Sequence, residues 1–200
     1  GAGRGGPGGG GAQGWGNTGR GGARCVRAAF GPARGRERKD LTLVHKTNVL
    51  TFAGDLWQRA FDAVAAEYAD VSTAYHHVDA ACIYFVQDPG RYDVIVTDNL
   101  FGDIITDLAG AVSGGVGFAG TGNLNPDRTS PSMFEPVHGS SHDILGTDKV
   151  NPSSQILSAA MLVEFLGEAE AGARIRKALD DVLAGNPTPV TVGDLVAERV

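Results

Sequence analysis

The sequence is poor in cysteine, in long apolar runs and, over most of its length, in positive charge. Two cysteines in 200 residues, Cys25 and Cys82, form neither a Cys-x-x-Cys pair nor a disulfide framework. They suit a reducing cytoplasm, where a buried thiol behaves as a small apolar group. No apolar run reaches the ~20 residues of a membrane helix, and no charged-then-apolar leader opens the chain, so no membrane partner is expected. The formal net charge of -6 is unevenly spread. Residues 1–39 hold eight basic residues and one acidic one, which leaves 9 basic and 22 acidic residues for the rest. A body that acidic repels polyanions and draws cations to its clefts, so nucleic acid is not an expected partner.

What is abundant is glycine, concentrated at the start. Residues 1–32 are dense in Gly, Ala, Arg and Pro and nearly free of aliphatic side chains. Such a stretch buries too little apolar surface to offset a backbone entropy cost of about 1–2 kcal/mol per residue, and it reads as disordered. Its composition is that of GC-rich codons, as a reading frame translated out of phase would give. The expectation is therefore a non-native tail over 1–32 and one folded body over 33–200. Two Arg-Gly-Gly triplets leave open an RNA-binding tail.

From Leu41 the texture changes to alternating strand and helix. LTLVHKT is strand-like, and TFAGDLWQRAFDAVAAEYAD places Phe52, Leu56, Ala60, Ala63, Val64 and Tyr68 at helical spacing. STAYHHV reads as a strand, DAACIYFV as a helix with Cys82, Phe85 and Val86 on one side, YDVIVT as a strand, and NLFGDIITDL as a helix. This alternation is the α/β signature with a largely parallel sheet. A loop-rich stretch of more than thirty residues follows Gly114. Two helices then close the chain, SQILSAAMLVEFLG apolar and buried, AGARIRKALDDVLAG amphipathic with Gly185 as its stop.

Asp103 and Asp107 share a helix face one turn apart, amid Leu100, Phe101, Ile104, Ile105 and Leu108. Spacing alone leaves a solvated acidic face open. A partly buried pair would instead need a cation, and carboxylate oxygens favour Mg²⁺ or Mn²⁺ over zinc. Asp79 lies at a strand-to-helix junction, where open α/β sheets bind ligands, and serves equally well on paper as a helix N-cap. Lys46 ends the first strand and, beside a metal, could move protons. His76 and His77 are adjacent on a strand, so they point to opposite faces and do not share an ion.

With their neighbours these residues resemble the decarboxylating dehydrogenases of β-hydroxy acids, the isocitrate/isopropylmalate dehydrogenase family. The carriers are LVHKTNVL (43–50), VDAA (78–81), YDVIVTDNLFGDIITDLAGAVSGGVG (92–117), FEPVHGSSHDILG (134–146) and NPSSQILSAAMLVEFLG (151–167). The similarity runs from about Ala33 to the C-terminus. HKTNVL, HVDAA and YDVIVTDNLFGDI are most similar to the members that act on 3-isopropylmalate.

The resemblance implies an α/β fold of this family's own type, not a Rossmann fold, and no glycine fingerprint follows any predicted strand. It implies NAD-dependent oxidative decarboxylation of 3-isopropylmalate to 4-methyl-2-oxopentanoate and CO₂ in leucine biosynthesis, with Mg²⁺ or Mn²⁺. Asp103 and Asp107 match the family's metal ligands, with Asp79 supplied by the other subunit of a homodimer. Lys46 and Asp79 match its catalytic residues, and Asn48 the residue near the nicotinamide. His138, Gly139, Ser140 and Asn151 match the adenosine side. Asp143 and Ile144 stand where NADP-using relatives place Lys-Tyr, and a carboxylate there suits ribose hydroxyls rather than a 2′-phosphate. Ser141-His142 departs from the family's usual Ala-Pro. The family's N-terminal half, with its substrate-clamping arginines and catalytic tyrosine, has no counterpart here, which implies an incomplete fold with impaired turnover. The alternatives are a tartrate/malate- or isocitrate-type enzyme and, in another class, an inactive fragment acting as an interaction or RNA-binding protein.

Overall fold

The computed structural model describes Gly14 and residues 16–200. Residues 1–13 and Trp15, 14 of the 32 residues of the expected tail, lie outside the described residues. Contacts divide the chain into two compact units after Asp103, within one helix.

The first unit is built on a three-stranded parallel sheet in the order β2-β1-β3, with β1 Asp40–His45, β2 Ser72–His77 and β3 Val94–Val96. β1 is central, and Leu41, Thr42, Leu43, Val44 and His45 are all buried. A strand covered on both faces needs such a continuous run, and LTLVH supplies it. Helix α2 (Thr51–Ala65) follows β1, and α3 (Val78–Gln87) follows β2. The buried stripe of α2 is Gly54, Trp57, Phe61 and Val64, displaced from the expected one. Phe52 is 92% exposed, because the large rings Trp57 and Phe61 turn the other side of α2 toward the core, and on α3 Ala81 and Phe85 are buried while Val86 is 67% exposed.

The expectation of disorder over 1–32 is corrected where the structure describes it. Residues 19–35 form α1 (Gly19–Gly35), capped by Thr18, whose side chain accepts a hydrogen bond from Gly21 N–H. Gly22, Val26, Phe30 and Ala33 are buried at helical spacing, and the last three join Leu41, Leu43, Trp57, Phe61, Val64, Val71 and Val96 in one core. Phe30 stacks on Tyr68 at 4.5 Å between centroids. Burial of a few large side chains, each worth about 1.5–3 kcal/mol, outweighs the unfavourable helix propensity of the glycines around them.

The second unit contains a two-stranded antiparallel ladder, β4 (Gly120–Asn123) with β5 (Met133–Pro136), and helices α5 (Ser153–Phe165), α6 (Ala169–Leu183) and α7 (Pro189–Ala197). The ladder and α7 are additions to the sequence expectation, which placed a loop and two helices here. α5 is mostly covered, as expected, with Ile156 and Leu157 packed on the core of α6 and α7, but its fully buried positions are the small Ser153, Ser154, Ser158 and Ala160, and Leu162 is exposed. The reason is close approach to the ladder. Ser154 and Ser158 donate from their hydroxyls to Ala119 O and Glu135 O, and a Cβ on Gly120 would meet Ser158 N at 2.9 Å. Only small residues allow that spacing. Ala178, Leu179 and Val182 of α6 close a second core with Val192 and Val196 of α7. Among the described residues no helix is long and apolar enough to cross a membrane.

Candidate active site

Parallel pairing sets β1 against β2 with His45 opposite His77. Lys46 directly follows β1, and Asp79 lies in the first turn of α3. The register therefore delivers both to the carboxyl end of the sheet, where Lys46 Nζ donates to Asp79 Oδ1 at 2.5 Å. The Lys46 ammonium holds the exposed Asp79 carboxyl below the ordinary carboxylate range. His77 occupies the N-cap position of α3 without a side-chain cap, while the Asp79 carboxylate in the first turn accepts from the backbone N–H groups of Asp79 and Ala80. Asn48 is exposed in the turn that follows Lys46.

The two histidines face apart. His76 Nδ1 meets the Tyr92 hydroxyl at 2.9 Å beside the Tyr84 ring, and burial there lowers its proton affinity. His77 Nδ1 meets the Tyr75 hydroxyl at 2.9 Å, and that hydroxyl also contacts Thr47.

Helix α4 (Asn99–Val112) starts at Asp98, whose Oδ1 accepts from Phe101 N–H at 2.9 Å. The other oxygen of this buried carboxylate lies 3.2 Å from Nε2 of fully buried His45 without the alignment of a hydrogen bond. His45 packs against Trp57 and edge-on to Phe101. The Asp98 side chain thus caps the start of α4 with one oxygen and faces His45, the last residue of β1, with the other. Sequence reasoning passed over both His45 and Asp98. The signal for Asp98 was present, an aspartate just before an apolar helix.

Asp103 and Asp107 are both exposed, one turn apart on α4. Their carboxylate oxygens are hard donors of the type that Mg²⁺ and Mn²⁺ take. Among the described residues no group of three or more His, Cys, Asp or Glu side chains stands close enough to hold a metal ion. Being exposed, the pair is also what a solvated acidic face would show, and two carboxylates alone are fewer ligands than Mg²⁺ or Mn²⁺ takes.

A separate cavity of about 160 Å³ lies in the second unit, lined by Val116, Gly117, His138, Ser141, Ile144, Lys149, Val150 and Asn151. Three of the expected cofactor residues, His138, Ile144 and Asn151, meet there. Gly139, Ser140 and Asp143 are exposed in the turn beside it. The volume is below the ~300 Å³ of ordinary small-molecule sites, so it suits a ring-sized portion of a ligand. Gly139 at φ 60° and Ser141 at φ 45° turn the chain after β5. Ser141 Oγ lies 2.9 Å from His138 Nδ1, a hydrogen bond that alanine at this position would lack. Val116, Gly117, Lys149 and Val150 were not foreseen, because nothing in a glycine-rich stretch marks which residues line a wall.

Comparison with known proteins gives the chain's family. The family model for isocitrate/isopropylmalate dehydrogenase matches residues 18–199, so the similarity begins before Ala33 and includes α1. The chain is 59% identical over 180 residues to a 3-isopropylmalate dehydrogenase of Nocardia farcinica, covering 88% of this chain and 53% of that protein. A 3-isopropylmalate dehydrogenase of Clavibacter sepedonicus is 60% identical over 172 residues, 86% of this chain and 48% of the relative. The crystal structure of an isocitrate dehydrogenase from Methylococcus capsulatus superposes with a TM-score of 0.85 at 36% identity, over 91% of this chain and 56% of that one. The chain spans about half the length of the curated relatives it matches. On its sequence and its α/β fold alike, it belongs to the isocitrate/isopropylmalate dehydrogenase family.

Proposed function

We propose that this chain serves NAD-dependent oxidative decarboxylation of 3-isopropylmalate, yielding 4-methyl-2-oxopentanoate and CO₂ in leucine biosynthesis. The observation that carries the reading is the Lys46–Asp79 contact at the carboxyl end of the parallel sheet. It puts an ammonium able to exchange protons beside a carboxylate able to bind metal. The names of the relatives support the choice of substrate.

Lys46 and Asp79 sit together on one chain, while Asp103 and Asp107 share a helix. In a homodimer with shared sites, the copy that lends Asp79 therefore lends Lys46 as well. A divalent cation held by Asp103, Asp107 and the second copy's Asp79 would polarise the substrate hydroxyl and offset the negative charge left when CO₂ departs. Lys46 Nζ would take the hydroxyl proton as hydride leaves for NAD⁺. Asn48, in the adjoining turn, would orient the nicotinamide. The 138–151 turn would hold the adenosine half, with Asp143 accepting from the ribose hydroxyls. The two free cysteines are in keeping with a cytoplasmic setting.

The test is NADH formation by the purified protein with Mg²⁺ or Mn²⁺, offered 3-isopropylmalate, isocitrate, malate or tartrate in parallel. The reading expects 3-isopropylmalate with NAD⁺ to be preferred. Preference for another acid, or for NADP⁺, would overturn it.

A further inference from the structure

The Tyr75 hydroxyl is the hub of a network beside Lys46. It accepts from the Thr47 backbone N–H at 3.1 Å, and lies 2.9 Å from both Thr47 Oγ1 and His77 Nδ1. A phenol donates once and accepts twice, so all three contacts are satisfied together, with Tyr75 donating either to His77 Nδ1 or to Thr47 Oγ1 and accepting from the other. Thr47 stands between Lys46 and Asn48. From the other side it is pressed by α2, where a Cβ on Gly54 would come within 2.7 Å of Thr47 Cα. The turn is thus clamped between the backbone of α2 and a phenol on β2. Two residues beyond His77, the same chain segment presents Asp79, the partner of Lys46.

We propose that Tyr75 is a positioning residue, whose hydroxyl locks the Lys46–Thr47–Asn48 turn to β2 and so keeps Lys46 Nζ on Asp79. Without it the Thr47 N–H loses its acceptor and the turn opens, which frees the amine from its partner. The chemical importance of Lys46 rests on the dehydrogenase reading. The positioning does not, because it is read from amine reactivity, and a failed dehydrogenase assay would leave it intact.

The experiment is acetylation by a water-soluble succinimidyl ester, with rates at Lys39, Lys46, Lys149 and Lys177 followed by peptide mass spectrometry in the wild-type chain and in Tyr75→Phe. Tyr75→Phe should raise the Lys46 rate about fivefold, the factor that a hydrogen bond of typical net strength gives a local opening equilibrium. The other three lysines should keep their wild-type rates. Thr47→Val retains the backbone bond and loses the hydroxyl one, so it should give a smaller, equally selective rise, and it decides the matter if Tyr75→Phe does not fold. An unchanged Lys46 rate in a folded variant, or an equal rise at all four lysines, would overturn the proposal.

Discussion

At the scale of the residue, chemistry was legible and company was not. Lys46 and Asp79 stood out by residue type and by their places at strand ends, yet nothing in the sequence joins residues 33 positions apart. Their contact follows from the parallel register of β1 and β2, a tertiary fact. Tyr75 escaped notice for the same reason, since its partner Thr47 lies on another element. Asp143 is exposed in the turn beside the small cavity, and its proposed role toward the ribose rests on its charge. Its charge makes a sharp prediction. Asp143→Lys with Ile144→Tyr should shift the ratio of kcat/KM for NAD⁺ over that for NADP⁺ toward NADP⁺ by about tenfold or more, since the ratio senses one repulsive carboxylate replaced by an attractive ammonium near a phosphate. Steady-state kinetics with both cofactors would measure it, and an unmoved ratio would remove Asp143 from the cofactor site.

At the scale of the element, strands β1, β2 and β3 and helices α2 to α6 were readable from periodicity, because burial imposes it. α1 was hidden by its glycines, although Gly22, Val26, Phe30 and Ala33 kept the spacing of a buried stripe. β4 and β5 are four residues each, too short for alternation to show. α5 was legible as a covered helix, but not that its closest approach is made by Ser153, Ser154, Ser158 and Ala160 while Ile156 and Leu157 meet the second core. Two stability predictions belong here. Phe30→Ala should destabilise the first unit by about 3–5 kcal/mol, seen as a lower denaturant midpoint, since it empties the contact with Phe61 and Tyr68. A loss near zero would mean that α1 is not part of the core. Asp98→Ala should cost about 1–2 kcal/mol through the lost cap on α4. Asp98→Asn should recover much of that loss in the same denaturation experiment, because its amide oxygen still accepts from Phe101 N–H.

At the scale of the whole molecule, the acidic balance shapes the response to pH. Hydrogen bonds from Arg36, Arg34 and Arg176 hold the carboxyls of Asp93, Asp70 and Glu164 below their ordinary values. A carboxyl depressed on folding contributes stability above its unfolded pKa and loses it as pH falls through the folded one. The melting temperature should therefore drop steadily as pH is lowered from about 5 toward 2, and Glu164→Gln should flatten part of that slope.

The central claim is that two copies build one site, one giving Lys46 and Asp79, the other Asp103 and Asp107. Mn²⁺ binding by electron paramagnetic resonance tests it most directly, using Asp79→Asn, Asp103→Asn and an equal mixture unfolded and refolded together. Each variant alone should bind weakly. The mixture should regain about a quarter of the wild-type sites, because half its dimers pair unlike chains and each of those holds one intact site. A mixture that binds no better than its components would contradict the shared site.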